Sequence, residues 1–274
     1  MTFKTLRISL LVLILLLVVH AQLNDRARIA RWDVPLFVAV FPIDADGRAL
    51  TSGTIERLRQ TDFEPLSEAM AREAGRYDLS LTRPMYIELG QPIVQPPPSP
   101  PADGGFLQRA WWVGRMRWWL WRFDDQGLDP DIVVLARYHD PELHPVVPHS
   151  VGVEHLRVAV ANVFAGRDMH GENLVVMLHE ILHTVGALDK YDPASGLPVF
   201  PDGYAEPSRS PVYPQQLAEI MAGRIPVSQG KATQAPNLDR ILIGPRTAEE
   251  LGWPSPAYST PDRREAVPGP AKTP

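Results

Sequence analysis

The stretch His179-Glu180-Ile181-Leu182-His183-Thr184-Val185-Gly186-Ala187-Leu188-Asp189 decides how the chain is read. Its apolar positions Leu178, Ile181, Leu182 and Val185 recur at helical spacing, and the spacing predicts a helix over Glu172–Val185. Two histidines four apart on a helix project from one face, so both imidazoles can reach a single ion. Glu180 stands beside them, suited to touch a metal-bound water rather than the metal. Gly186 can take the left-handed conformation that ends a helix. The reversal it permits would return Asp189 toward the histidines as a third ligand. Three protein ligands and an open fourth position describe a catalytic site rather than a closed structural one. Asp192 and Glu206 are the competing carboxylates for that third place.

The composition leaves this site little competition. The chain has 274 residues, 45% hydrophobic and 22% charged, enough for one sizeable core. Its net charge of −5 carries no basic excess of the kind that marks nucleic-acid binding. It contains no cysteine, which removes disulfides, thiolate zinc ligands and thiol catalysis, so any metal site must use His, Asp and Glu.

Upstream of the motif, strands are expected at Val34–Ile43, Pro84–Leu89, Asp131–Tyr138 and Leu156–Phe164. One helix is expected from Ser52 or Thr54 to Ala74. A second, Phe106–Phe123, is dense in tryptophan and arginine. The Pro-rich 92–105 reads as a surface loop. Beyond the motif the chain is proline- and glycine-rich to about Asn237, with a short last helix over Arg246–Leu251. The order predicts a layered α/β (α+β) unit: a mixed twisted sheet with packed helices. An upper part (33–186) would carry the motif helix, and a smaller irregular part (187–253) would follow. Residues 254–274 read as a disordered tail.

Residues 1–23 read as a signal peptide or signal anchor. Lys4 and Arg7 precede the apolar run Ile8–Val19, and Val19-His20-Ala21 resembles a cleavage site. Either form implies a location outside the cytoplasm: membrane-anchored, periplasmic or secreted. Membrane contact would come through this segment if uncleaved, and the Trp/Arg helix 106–123 is a second candidate contact.

His179-Glu180-x-x-His183-x-x-Gly186-x-x-Asp189 resembles the zinc motif of the metzincin metallopeptidases, in the Asp variant of the snapalysin-type secreted proteases. Metzincins carry a methionine turn beneath the metal, and Glu219-Ile220-Met221-Ala222-Gly223 resembles it. The resemblance covers roughly Val34–Trp253. It implies Zn²⁺ held by His179, His183 and Asp189, with Glu180 as general base toward a zinc-activated water and a peptide or protein as substrate. Some metzincins place a tyrosine two residues after the turn methionine. Gly223 stands there, leaving Tyr191, Tyr204 and Tyr213 as candidates by proximity. Leu156–Phe164 is the expected edge strand for an extended peptide. His139, Asp140, His144, His149, His155 and His170 form a further cluster, read as a solvated loop rather than a second metal site. The alternative reading is a non-catalytic metal-binding or membrane-associated envelope protein that keeps the fold.

Overall fold

A computed structural model describes residues 31–101 and 105–254, together with Arg7, Val12 and Leu13. The signal or anchor reading of residues 1–23 and the tail after 254 therefore fall almost wholly outside the described residues.

The core is a five-stranded sheet in the order β2-β1-β3-β5-β4, built from β1 (Leu36–Asp44), β2 (Met85–Leu89), β3 (Ile132–His139), β4 (Val151–Val153) and β5 (Val158–Phe164). β2, β1, β3 and β5 run parallel, and β4 pairs antiparallel with β5. β1, β3 and β5 read as near-continuous apolar runs because both faces of the sheet are covered.

Alternation along the strands sorts the two faces. Val38, Val40, Ile132, Val134, Ala136, Ala159 and Ala161 point into the larger core. That core holds α1 (Ala49–Arg57), α2 (Glu64–Gly75), α4 (His170–Thr184) and the C-terminal segment. Ala39, Phe41, Ile43, Leu135 and Val160 point the other way, under α3 (Phe106–Arg122) through Trp112 and Met116.

Three expectations are corrected. The single helix to Ala74 is two, α1 and α2. Leu58 turns extended, and Pro65 occupies the first turn of α2. Proline cannot sit inside a helix, where its ring meets the carbonyl four residues back, but a first turn accepts it. The edge strand is β4, not Leu156–Phe164: β5 lies between β3 and β4. β4 is three residues long with a central glycine, too short to show a period, and a 3-10 turn at Glu154–Leu156 leads into β5.

The third correction concerns the region after the motif, which is more regular than its composition implies. β6 (Ala218–Glu219) pairs with β9 (Ile241–Leu242), and β7 (Arg224–Ser228) forms a hairpin with β8 (Lys231–Gln234). α5 (Pro245–Glu250) follows. Residues 92–101 carry no helix or strand, as a proline-rich loop should. The two ends of the described chain are tied together: Trp32 Nε1 donates to Leu251 O at 2.7 Å, and Trp32 packs edge-on against Trp253. No helix among the described residues is long and apolar enough to cross a membrane.

Candidate metal centre and its surroundings

α4 ends as its sequence dictates. Gly186 adopts φ +105°, a conformation that L side chains resist. Its N–H bonds to His183 O at 3.3 Å, and Ala187 N–H bonds to Leu182 O at 3.1 Å. That pair of bonds is the Schellman closure of a helix C-terminus. The chain doubles back, and Ala187 O accepts a 2.8 Å hydrogen bond from His183 Nδ1. Asp189 arrives two residues later, with Oδ1 at 3.1 Å from both His179 Nε2 and His183 Nε2. The two Nε2 atoms are 3.0 Å apart.

The tautomers follow from the partners. His179 Nδ1 lies 3.0 Å from Ile220 O. A carbonyl only accepts, so Nδ1 carries the proton and a neutral ring leaves Nε2 with a lone pair. His183 is fixed likewise by Ala187 O. Two nitrogen lone pairs and a carboxylate oxygen thus converge with no proton between them, an arrangement that calls for a cation. Tetrahedral bonds of about 2.0–2.1 Å set ligand atoms about 3.3 Å apart, close to the spacing found. His179, His183 and Asp189 are a group that could hold a metal ion.

The charges favour positive charge at this point. Burial works to raise the Asp189 carboxyl, but the His179 and His183 rings, each with Nε2 3.1 Å away, hold it well below the usual carboxylate range. Burial opposes charge on His179, yet the acids Asp189 and Glu180 beside it outweigh burial and raise its pKa. Burial raises Glu180, against the pull of the two histidines. The Glu180 carboxylate accepts from Gly152 N–H of β4, while its Oε2 is buried with no partner at all. Gly152 is required there: a Cβ would collide with Glu180 O and His183 Cβ. Tyr191 stands over the site, its hydroxyl bonded to Asp189 and its pKa pushed up to about 12 by burial and by the acids Asp189 and Glu180. Tyr204 and Tyr213 instead bond to each other at 2.7 Å.

The other carboxylates are engaged elsewhere. Asp192 Oδ1 accepts from Ala194 N, Ser195 N and Ser195 Oγ, and Glu206 pairs with Arg209. Met221 is fully buried, and the turn around it supplies the Ile220 carbonyl beneath His179.

Two supports escaped the sequence reading. Glu219, fully buried, accepts from Met221 N, Ala222 N, Gly244 N and Thr247 Oγ, clasping the turn to α5. Glu250 Oε2 accepts from both Leu188 N and Lys190 Nζ, while Lys190 N donates to Met221 O, so Asp189 sits on a loop held from two sides. Glu219 reaches Gly244 and Thr247 across 25 and 28 residues, and Glu250 reaches Lys190 and Leu188 across 60 and 62, so no local pattern marks these clasps.

The histidine cluster is not a solvated loop throughout, which corrects the expectation. His139 and Asp140 are each 3% exposed. Asn162 Nδ2 donates to His149 O, so Asn162 Oδ1 accepts from His139 Nε2 and leaves Nδ1 buried without a partner. β3 carries His139 in at its end, where the interior packing of the strand buries it. Asp46, His139 and His144 make a second group that could hold a metal ion. His170 bonds instead to Asp62 O.

Compared with known proteins, the chain matches no protein-family model and no curated protein sequence.

Proposed function

We propose that the chain is an extracytoplasmic zinc-dependent endopeptidase of metzincin type. The observation that carries this reading is the convergence of His179 Nε2, His183 Nε2 and Asp189 Oδ1 at 3.0–3.1 Å, beside a buried Glu180 oxygen that has no partner. Two imidazoles and a carboxylate form a donor set of the kind that catalytic zinc uses, with a position left for water or substrate. Asp189 is the third ligand in this reading, because Asp192 and Glu206 are occupied by other bonds.

Bound there, zinc supplies a Lewis acid for the scissile carbonyl and brings the pKa of water toward about 7. The chain's own residues do the rest. Glu180 takes the proton of the attacking water at Oε2 and returns it to the departing amine. Its Gly152 bond fixes the carboxylate, and its burial strengthens it as a base. Ile220 O and Ala187 O keep both rings in the one orientation that presents Nε2. Tyr191 O–H, beside Asp189, is placed to donate to a developing oxyanion. β4 offers an open edge next to α4, where an extended peptide can add as a strand. The apolar run after Lys4 and Arg7 supports export.

The test is metal content and hydrolysis of a mixed peptide library by the full chain, Asp189→Asn and Glu180→Gln. The expected result is zinc-dependent cleavage in the wild type, weakened zinc binding in Asp189→Asn, and zinc retained without cleavage in Glu180→Gln. Near-normal turnover by Glu180→Gln would sink the mechanism. Failure of the wild type to take up zinc would sink the whole reading.

A further inference from the structure

α3 has two apolar faces, and among the described residues only one is packed. Trp112, Met116, Trp119 and Phe123, spaced four, three and four, lie on the sheet with Phe41 and Leu135. Phe123 packs edge-on against Phe41 and is stacked by Trp119, each at 4.9 Å. The opposite face repeats the spacing with Leu107, Trp111, Gly114, Trp118 and Trp121. Trp111, Trp118 and Trp121 are 71%, 59% and 81% exposed, with Leu107 at 80%. A contiguous exposed apolar patch of this kind marks a contact surface.

The charges on the helix say what contacts it. Arg109, Arg115, Arg117 and Arg122 all lie within α3, which contains no Asp or Glu, in a chain whose net charge is −5. At 100° per residue, Arg115 and Arg122 flank the Trp stripe on one side and Arg117 on the other. The Arg122 guanidinium lies 5.0 Å over the Trp118 ring. Trp118 and Arg122 also line a cleft with Ile93 and Val94, which carries the apolar surface onto the loop before α3. A protein partner would meet such a face with acids set in apolar surroundings. A lipid surface offers the same two features in depth order: anionic headgroups at the level of the arginines, acyl chains beneath the rings. Indole is suited to that boundary, with an apolar body and a single N–H that stays with the headgroups.

We propose that the outer face of α3 seats the folded domain on an anionic lipid surface, with Leu107, Trp111, Trp118 and Trp121 in the interface and Arg115, Arg117 and Arg122 on the headgroups. α3 lies on the side of the sheet opposite α4, so this contact leaves the metal centre's side of the sheet uncovered. The inference is independent of the peptidase reading.

The chain has no cysteine, so one introduced thiol reports one place. Gly114→Cys puts a probe at the centre of the stripe, where an added Cβ meets nothing within 4 Å. Gly75→Cys, equally open and at the end of α2 across the sheet, is the control. The full chain carrying an environment-sensitive dye is mixed with vesicles of phosphatidylglycerol or of phosphatidylcholine. A local dye reads the contact of α3 itself, whether or not residues 1–23 also reach lipid. The expected result is a blue shift at 114 with phosphatidylglycerol, little with phosphatidylcholine, and none at 75. Trp111→Ser, Trp118→Ser and Trp121→Ser together should abolish the shift. Their exposure makes them dispensable for folding, which an unchanged thermal melt would check. The shift should also fall at about 1 M salt, where the Debye length is about 3 Å. No shift at 114 with either vesicle overturns the proposal. A shift without vesicles that grows with protein concentration also overturns it, and assigns the face to a second copy of the chain.

Discussion

His179 Nδ1 donates to Ile220 O at 3.0 Å, across 41 residues of sequence. That one bond selects the tautomer that leaves Nε2 free. It also ties the motif helix to the turn containing the buried Met221. The ligand and its orienting group thus belong to different parts of the chain, and the geometry of the metal centre depends on how the turn is held.

Glu219 holds that turn. Glu219→Ala strips the acceptor from Met221 N, Gly244 N and Thr247 Oγ, all buried, while Ala222 N keeps its 3.0 Å bond to the carbonyl of residue 219. Unsatisfied buried donors cost about 1–3 kcal/mol each, with some relief from rearrangement. A loss of about 3–5 kcal/mol in urea unfolding is expected, together with weaker metal binding. A loss under about 1 kcal/mol would show that the clasp is dispensable.

Gly186→Ala imposes a side chain at φ +105°. The Schellman closure must then distort, at a cost of about 1–2 kcal/mol. The affinity for zinc should fall with the stability, because the same reversal delivers Asp189 and the Ala187 carbonyl. Chelator competition beside a thermal melt measures both. Unchanged affinity would separate the helix end from the ligand.

Glu250→Ala leaves α5 in place but frees Leu188 N and Lys190 Nζ. Holding the residues on either side of a ligand in this way is worth roughly 10–100-fold in metal affinity. Lys190 becomes a buried cation without its partner, so Lys190→Met in the same chain should restore stability but not affinity. Equal rescue of both would mean that Glu250 only balances charge.

Gly152→Ala tests the contact between the edge strand and the site. A Cβ there meets Glu180 O and His183 Cβ, and no flexible side-chain end can yield. β4 must move off α4, taking its N–H from the Glu180 carboxylate. Cleavage should fall at least tenfold while zinc content stays near wild type. Full activity would show that β4 does not position Glu180.

Alkaline stability has its own signature. Burial raises the Tyr77 hydroxyl from 10.0 to about 12, and it donates to Ile243 O at 2.7 Å. The folded state keeps this proton after the unfolded chain has lost its own. Its contribution is therefore full below pH 10 and declines as pH rises toward 12. At about 1.4 kcal/mol per pKa unit, the loss amounts to about 3 kcal/mol. Unfolding free energies at pH 9 and 11.5 should converge between wild type and Tyr77→Phe at the higher pH. Parallel curves would contradict the assignment.

Legibility followed the range of the interactions. Three of the four parallel strands, β1, β3 and β5, could be read because burial on both faces writes long apolar runs, as in Ile132–Ala136, and β2 by the short run Met85–Ile87. α4 and its end could be read because the ridge Leu178-Ile181-Leu182 and Gly186 act within a few residues. β4 could not, since three residues around Gly152 carry no period. The break at Pro65 was readable, but the apolar spacing on both sides obscured it. The burial of His139 was not readable, because it is the neighbouring strand that encloses it.

The spacing of His179, Glu180, His183 and Asp189, the glycine that turns the helix end, and the apolar runs of the layered sheet are all written in the order of the residues. These are local properties, set by backbone conformation and side-chain period. The folded chain alone shows which carbonyl orients His179, which acids clamp Met221 and Asp189, that β4 is the edge, and that the Trp111–Trp121 face of α3 is uncovered among the described residues. Those depend on packing between segments far apart in the chain, where the free energy comes from burial and from partners that no local spacing encodes.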